Sequence, residues 1–244
     1  FDLGQVGQAF RFDGVNDRVE VPSFGTFTRM TVQAWAYREG ATNARESLIS
    51  YKEGNSPNCG FLLLLNEDGV SQRPRLYVQV NGGWQFAEGT QPFPFGRWTH
   101  LAGTYDGQEI RLYMDGVLAA VRTAAGNLTQ CNQKTALGSR ASFDQLFFPG
   151  LLDEVAVFDR ALSASEVQAL AEARGSGMCA TAPPPSGIPA GTPQVQQGWV
   201  QLAPNQPFDL PDGRYVQFRI TLRGDGSQSP ALRSVSLGYR GGGQ

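Results

Sequence analysis

Apolar and polar residues alternate along the chain in a series of short runs: "RVEVP", "MTVQAWAY", "RLYVQV", "WTHLAGTY", "IRLYMDG", "VLAAVRT" and "LDEVAVF", with the more evenly apolar "GFLLLLN" among them. Such alternation sends successive side chains to opposite faces of a strand. Short runs of this kind, repeated between Gly-rich breaks, predict an all-β antiparallel sandwich or jelly roll. Within "YDGQEIRLYMDGVLAAV", the Asp-Gly pairs at 106–107 and 115–116 supply the positive-φ positions that tight hairpins demand, which predicts a three-strand antiparallel meander.

A helical period stands out in "RALSASEVQALAEARG". Ser163 is placed as N-cap, Glu166 as its reciprocal partner and Gly175 as the stop, while Val167, Leu170 and Ala171 fall on one face. A short helix lying on a sheet is expected. After it the composition turns to Pro and Gly, and 176–193 reads as a stiff, exposed linker between a jelly-roll domain at 1–175 and a C-terminal segment at 194–244. That segment alternates again, with Val216, Phe218, Ile220 and Leu222 on one side of one run and Val235, Leu237 and Tyr239 on one side of another. Two strands are too few to be stable alone, so the segment is expected to dock on the sandwich or to belong to a neighbouring domain.

Composition narrows the classes. With 41% apolar and 17% charged residues in 244, the chain is globular. A net charge of −2 without a basic block gives no footprint for nucleic acid or anionic membranes, and no apolar run approaches the roughly 20 residues that cross a bilayer. The opening "FDLGQVGQAF" lacks the basic start of a signal peptide, and the chain reads as a fragment of a larger one. Cys59 and Cys131, both in polar, turn-like contexts, would pair if the protein is secreted; two free thiols is the alternative.

Three places could carry chemistry. "FDGVNDRVEVP" gathers Asp13, Asn16 and Asp17, oxygen-bearing side chains suited to calcium and equally suited to a plain turn. "RPRLYVQVNGGWQF" puts Arg75, Tyr77 and Gln79 on one strand face, away from Leu76, Val78 and Val80, with Trp84 beside the turn that "NGG" predicts; the late loop "GSRASFDQLFF" adds Arg140, Phe143 and Asp144. An aromatic ring flanked by amide, carboxylate and guanidinium groups is what a sugar needs, and a solvated strand face is the bland alternative. His100, the single histidine, fits a packed core residue better than a catalytic base, and Trp35 and Trp98 also read as core.

Taken in order, "GQAFRFDGVNDRVEVP", "MTVQAWAY", "RWTHLAGTYDGQEIRLYMDGVLAA" and "FPGLLDEVAVFDRALSASEVQAL" make residues 6–175 resemble the laminin G-like, concanavalin A-type jelly rolls of bacterial extracellular proteins. The tail looks more loosely like strands that accompany such domains. The resemblance implies a structural calcium, with Asp13, Asn16 and Asp153 as ligands and Asp17 as a further candidate. It also implies lectin-like, adhesive, structural or, in some relatives, glycosidase roles. Hydrolytic relatives carry two carboxylates on one strand face, written E-x-D-x-x-E; here Asp153 and Glu154 are adjacent, and Val155 and Val157 take the places such a face would need. The expectation is a non-catalytic, extracellular or cell-surface module that recognises carbohydrate or glycoconjugate. A protein-binding adhesion domain or structural spacer is the alternative.

Overall fold

The computed structural model describes residues 1–21, 27–40, 45–51, 59–66, 68–129, 134–140 and 146–174. All of them fall within the first of two units into which the chain divides, Phe1–Pro184. The linker at 176–193, the segment at 194–244, Gly175, Cys131, Phe143 and Asp144 lie outside the described residues.

The described residues form strands β1 (Asp2–Leu3), β2 (Gln8–Asp13), β3 (Val19–Val21), β4 (Met30–Arg38), β5 (Glu46–Tyr51), β6 (Phe61–Leu65), β7 (Pro74–Val80), β8 (Gly83–Glu88), β9 (Trp98–Tyr105), β10 (Glu109–Met114), β11 (Val117–Thr123), β12 (Thr135–Leu137) and β13 (Pro149–Phe158), of which β3, β4, β6, β7, β9, β10, β11 and β13 arise from the runs named above. They form a seven-stranded sheet ordered β1-β2-β13-β4-β9-β10-β11 and a six-stranded sheet ordered β3-β12-β5-β6-β7-β8. Every pairing is antiparallel. This is the antiparallel sandwich that the alternation predicts.

Alternation decides what fills the space between the sheets. Val32, Ala34, Ala36, Leu101 and Leu112 come from the larger sheet and Leu63, Leu65, Leu76 and Val78 from the smaller, all fully buried in one core. Gly103 faces Leu76 across the core: a Cβ there would stand 2.5 Å from Leu76 Cδ2, so any larger residue would push Leu76 aside. Buried aliphatic side chains contribute on the order of 1.5–3 kcal/mol each, which makes this interface the main source of stability.

The meander β9-β10-β11 turns at Asp115 (φ 50°) and Gly116 (φ 80°), and β7 passes into β8 at Asn81 (φ 48°) and Gly82 (φ 78°). Two consecutive positive φ values are the mark of the tight hairpin turn that matches strand twist. Helix α1 (Ala164–Ala173) begins with a full capping box between Ser163 and Glu166. Its Val167 and Leu170 pack with Ala102, Tyr113 and Leu162 on the outer face of the larger sheet.

One charged pair is sealed between the sheets. Arg38 ends β4 in the larger sheet, Glu46 begins β5 in the smaller, and both side chains are fully buried. The guanidinium donates from Nε to Oε2 and from Nη2 to Oε1, each at 2.6 Å, and lies 4.4 Å from the centre of the Phe95 ring.

Candidate functional site

On the smaller sheet, the outward positions of β7 and β8 carry a ladder of rings. Leu76 and Val78 face the core and Arg75 and Tyr77 face the other way, because each strand alternates. In the hairpin register Tyr77 sits opposite Phe86, Arg75 opposite Glu88, and Gln79 opposite Trp84. Trp84 meets Tyr77 edge-on with ring centres 6.2 Å apart, and Phe86 lies 4.9 Å from Tyr77. Arg75 is pinned over this platform: it pairs with Glu88, donates to the Tyr77 hydroxyl at 3.0 Å and stacks 4.9 Å from the Phe86 ring. Trp84, Phe86 and Tyr77 are all half-buried, so one face of the platform stays open to solvent.

The sequence placed Trp84 beside a turn; it is the second residue of β8, within the ladder. Phe86 and Glu88 were not singled out, although alternation from Trp84 along "GWQFAE" would have found them. Gln79 needs a correction. It is fully buried, and neither atom of its amide has a hydrogen-bond partner, because the end of β7 is closed in by Gly60, whose carbonyl takes the Gln79 N–H, and by Thr129, whose N–H binds the Gln79 carbonyl. It therefore cannot line an open groove. Arg140 follows β12, separated from β7 by β5 and β6, or about 14 Å at ordinary strand spacing. The late loop and the β7–β8 platform are thus apart at Arg140.

The residues implied as calcium ligands divide between two places. Asp13 Oδ1 accepts from the N–H groups of Val15, Asn16 and Asp17 at 2.8, 3.1 and 3.4 Å, and Asp17 Oδ2 accepts from the Asp13 N–H at 3.1 Å. Those bonds, led by the one from Val15, hold the Asp13 carboxyl below its ordinary range. The run is an exposed, self-capped turn. Asp153 belongs elsewhere: Pro149 pairs with Asp13 and Leu152 with Phe10, so Asp153 lies four residues further along β13, about 13 Å away. Its Oδ2 accepts from Val6 N–H at 2.7 Å and its Oδ1 from Glu154 N–H at 2.8 Å, which closes the turn between β1 and β2. Burial raises its pKa. Asp13, Asn16, Asp17 and Asp153 therefore do not fit around a single ion, and no group of three or more His, Cys, Asp or Glu among the described residues could hold a metal.

His100 is fully buried on the outer side of the larger sheet, next to Trp35 with ring centres 5.4 Å apart. Gln33 gives its amide N–H to the Glu154 carbonyl at 2.5 Å, so its oxygen accepts from His100 Nε2 at 2.5 Å and Nδ1 is the unprotonated nitrogen, without a hydrogen-bond partner. Burial lowers the imidazole pKa to about 4. The Gln33 amide in turn holds Glu154, whose φ of 47° marks a bulge between Asp153 and Ala156. Trp35 is buried and Trp98 half-buried, but both sit on this outer face, opposite His100 and Tyr37 respectively, rather than between the sheets. Cys59 is disulfide-bonded; Cys131 lies outside the described residues.

Among the described residues no helix is long and apolar enough to cross a membrane. No curated protein is similar to the chain by sequence. Solved structures share the fold. A native heptameric SAP-like pentraxin from Limulus polyphemus is 17% identical over 68% of this chain and 82% of its own, with a TM-score of 0.54. Domain 4 of AbnA, a GH43 extracellular arabinanase from Geobacillus stearothermophilus solved with arabinotriose, is 23% identical over 68% of this chain and 78% of its own, with a TM-score of 0.55. The binding domain of Paraclostridial Mosquitocidal Protein 1 is 18% identical over 70% of this chain and 44% of its own, at 0.54. The family Laminin_G_3, described as the Concanavalin A-like lectin/glucanases superfamily, matches residues 13–168. With more than half of the chain inside that match, the protein belongs to the Concanavalin A-like lectin/glucanases superfamily.

Proposed function

We propose that the protein is a non-catalytic, extracellular carbohydrate-binding module whose site is the ring ladder of β7 and β8. The observation that carries this reading is the Tyr77–Trp84–Phe86 platform, half-open to solvent and fixed at one end by the Arg75–Glu88 pair. Aromatic faces stack on the apolar side of a pyranose, and a rigid guanidinium–carboxylate pair beside them supplies donors and acceptors to its hydroxyls. A platform held in place before binding loses little side-chain freedom when it binds. The arabinotriose bound to the arabinanase domain named above accords with a sugar ligand.

Hydrolysis finds no support in the carboxylates. Asp153 spends both oxygens on backbone N–H groups, and Glu154 sits in a bulge rather than on a regular strand face. A retaining or inverting mechanism needs two carboxyl groups facing one cleft. Fluorescence screening on a glycan array, with wild type and Trp84→Ala side by side, tests the proposal: saturable binding that vanishes in the variant supports it. Silence of the wild type on every glycan, with saturable binding to a protein ligand instead, would favour the adhesion reading.

A further inference from the structure

At the edge of the sandwich the last strand of each sheet meets the other, and a second arginine reaches the ring ladder from the opposite sheet. β8 closes the smaller sheet and β11 the larger. Arg122 of β11 extends its guanidinium across this edge to lie 5.6 Å from the Phe86 ring, on β8, and donates from Nη2 to Gln85 Oε1 at 3.3 Å. Phe86 thus has a guanidinium at 4.9 Å from Arg75 and another at 5.6 Å from Arg122.

The two arginines differ in what neutralises them. Arg75 is paired with Glu88, which also holds Arg73 at 3.2 Å. Arg122 is exposed and makes no ion pair among the described residues. The nearest carboxylate on the neighbouring strand, Glu109, is directed with Arg111 to the other side of the sheet and is engaged by it at 2.5 Å. Around the ladder, Arg73 and Arg75 share one acidic partner among the described residues, Glu88, and Arg122 has none, in a protein whose net charge is −2. Gln85, which accepts from Arg122, also lines a cavity of about 400 Å³ with Val80, Asn81, Thr123 and Ala124.

We propose that the ligand is an acidic glycan and that Arg122 pairs with its carboxylate, while the attached sugar ring rests on Phe86 and Trp84 and reaches Asn81, Gln85 and Thr123 with its hydroxyls. This rests on the glycan reading above and adds the class of sugar. A guanidinium stacked on an aromatic ring keeps its N–H edge free, and that edge matches a carboxylate in a bidentate pair. The uncharged amide of Gln85 sets the fork without cancelling its charge.

The experiment uses the full chain on an array that holds uronate-containing glycans beside neutral ones of the same linkage, with wild type, Arg122→Gln and Trp84→Ala. Circular dichroism and melting temperature check that each variant is folded, which is undemanding for Arg122 because its side chain is exposed. The expected result is binding to uronates that weakens about tenfold or more in Arg122→Gln, the loss of one charge-assisted pair, and that falls as salt is raised. Binding confined to neutral glycans, or uronate binding that Arg122→Gln leaves unchanged, overturns this inference and leaves the glycan reading standing. Absence of binding to any glycan overturns both.

Discussion

Arg38 and Glu46 form a bidentate ion pair, two hydrogen bonds of 2.6 Å each, that joins the two sheets with no exposure to solvent. Each ion is costly to bury; the partner compensates it through two short hydrogen bonds, and the Phe95 ring lies against the guanidinium. Removing one partner by Arg38→Met or Glu46→Leu should therefore destabilise the fold by about 3–5 kcal/mol, whereas the double substitution should be near neutral. Urea denaturation of the three variants measures this. Single variants as stable as wild type would mean that the pair is solvated.

Acid should weaken the fold in two separable steps. His100 is held at about 4 against an ordinary 6.5, so as pH falls the unfolded chain takes up this proton before the folded one does. Stability should then drop by up to about 3 kcal/mol between pH 6.5 and 4 and level off below. Glu166, paired with Arg160 and held at about 2 against 4.5, adds a further loss from pH 4.5 down to about 2. Asp153 acts in the opposite sense, because burial raises its pKa and the folded state accepts its proton first. Urea midpoints against pH for wild type and His100→Gln check the first step: the variant should lose the slope between pH 6.5 and 4. An unchanged slope would assign it to other groups.

The sandwich was legible because strands such as β4 and β7 alternate without interruption, as in "MTVQAWAY" and "RLYVQV", and because Asp115-Gly116 and Asn81-Gly82 announce their turns chemically. β5 was not, since "ESLISY" opens on a glutamate that no local pattern marks as buried; its partner Arg38 lies eight residues earlier, in the other sheet. β12 is three residues long and gives no period at all. In the site, strand parity found Arg75 and Tyr77 but could not show that Gln79, on the same face, is covered near the strand end. Arg122 was out of reach for the same reason: it meets Phe86 only because β8 and β11 are the edges of different sheets.

Asp13 and Asp153 should behave as independent residues. About 13 Å of strand separates them, and each spends its oxygens on its own turn. A double-mutant cycle with Asp13→Ala and Asp153→Ala should give a coupling energy within about 0.5 kcal/mol of zero, in chelator and in millimolar calcium alike. Coupling that appears only with calcium would mean that one ion joins them after all.

The central claim is that sugars are read by the outer face of the smaller sheet. Trp84 stands in the ring ladder there, and Trp98, half-buried beside Tyr37 at 5.7 Å, offers an aromatic on the outer face of the larger sheet. Isothermal titration of the strongest array ligand into wild type, Trp84→Ala and Trp98→Ala compares the two faces directly. Trp84→Ala should bind at least tenfold more weakly, and Trp98→Ala should match wild type. Full affinity in Trp84→Ala together with loss in Trp98→Ala would contradict it.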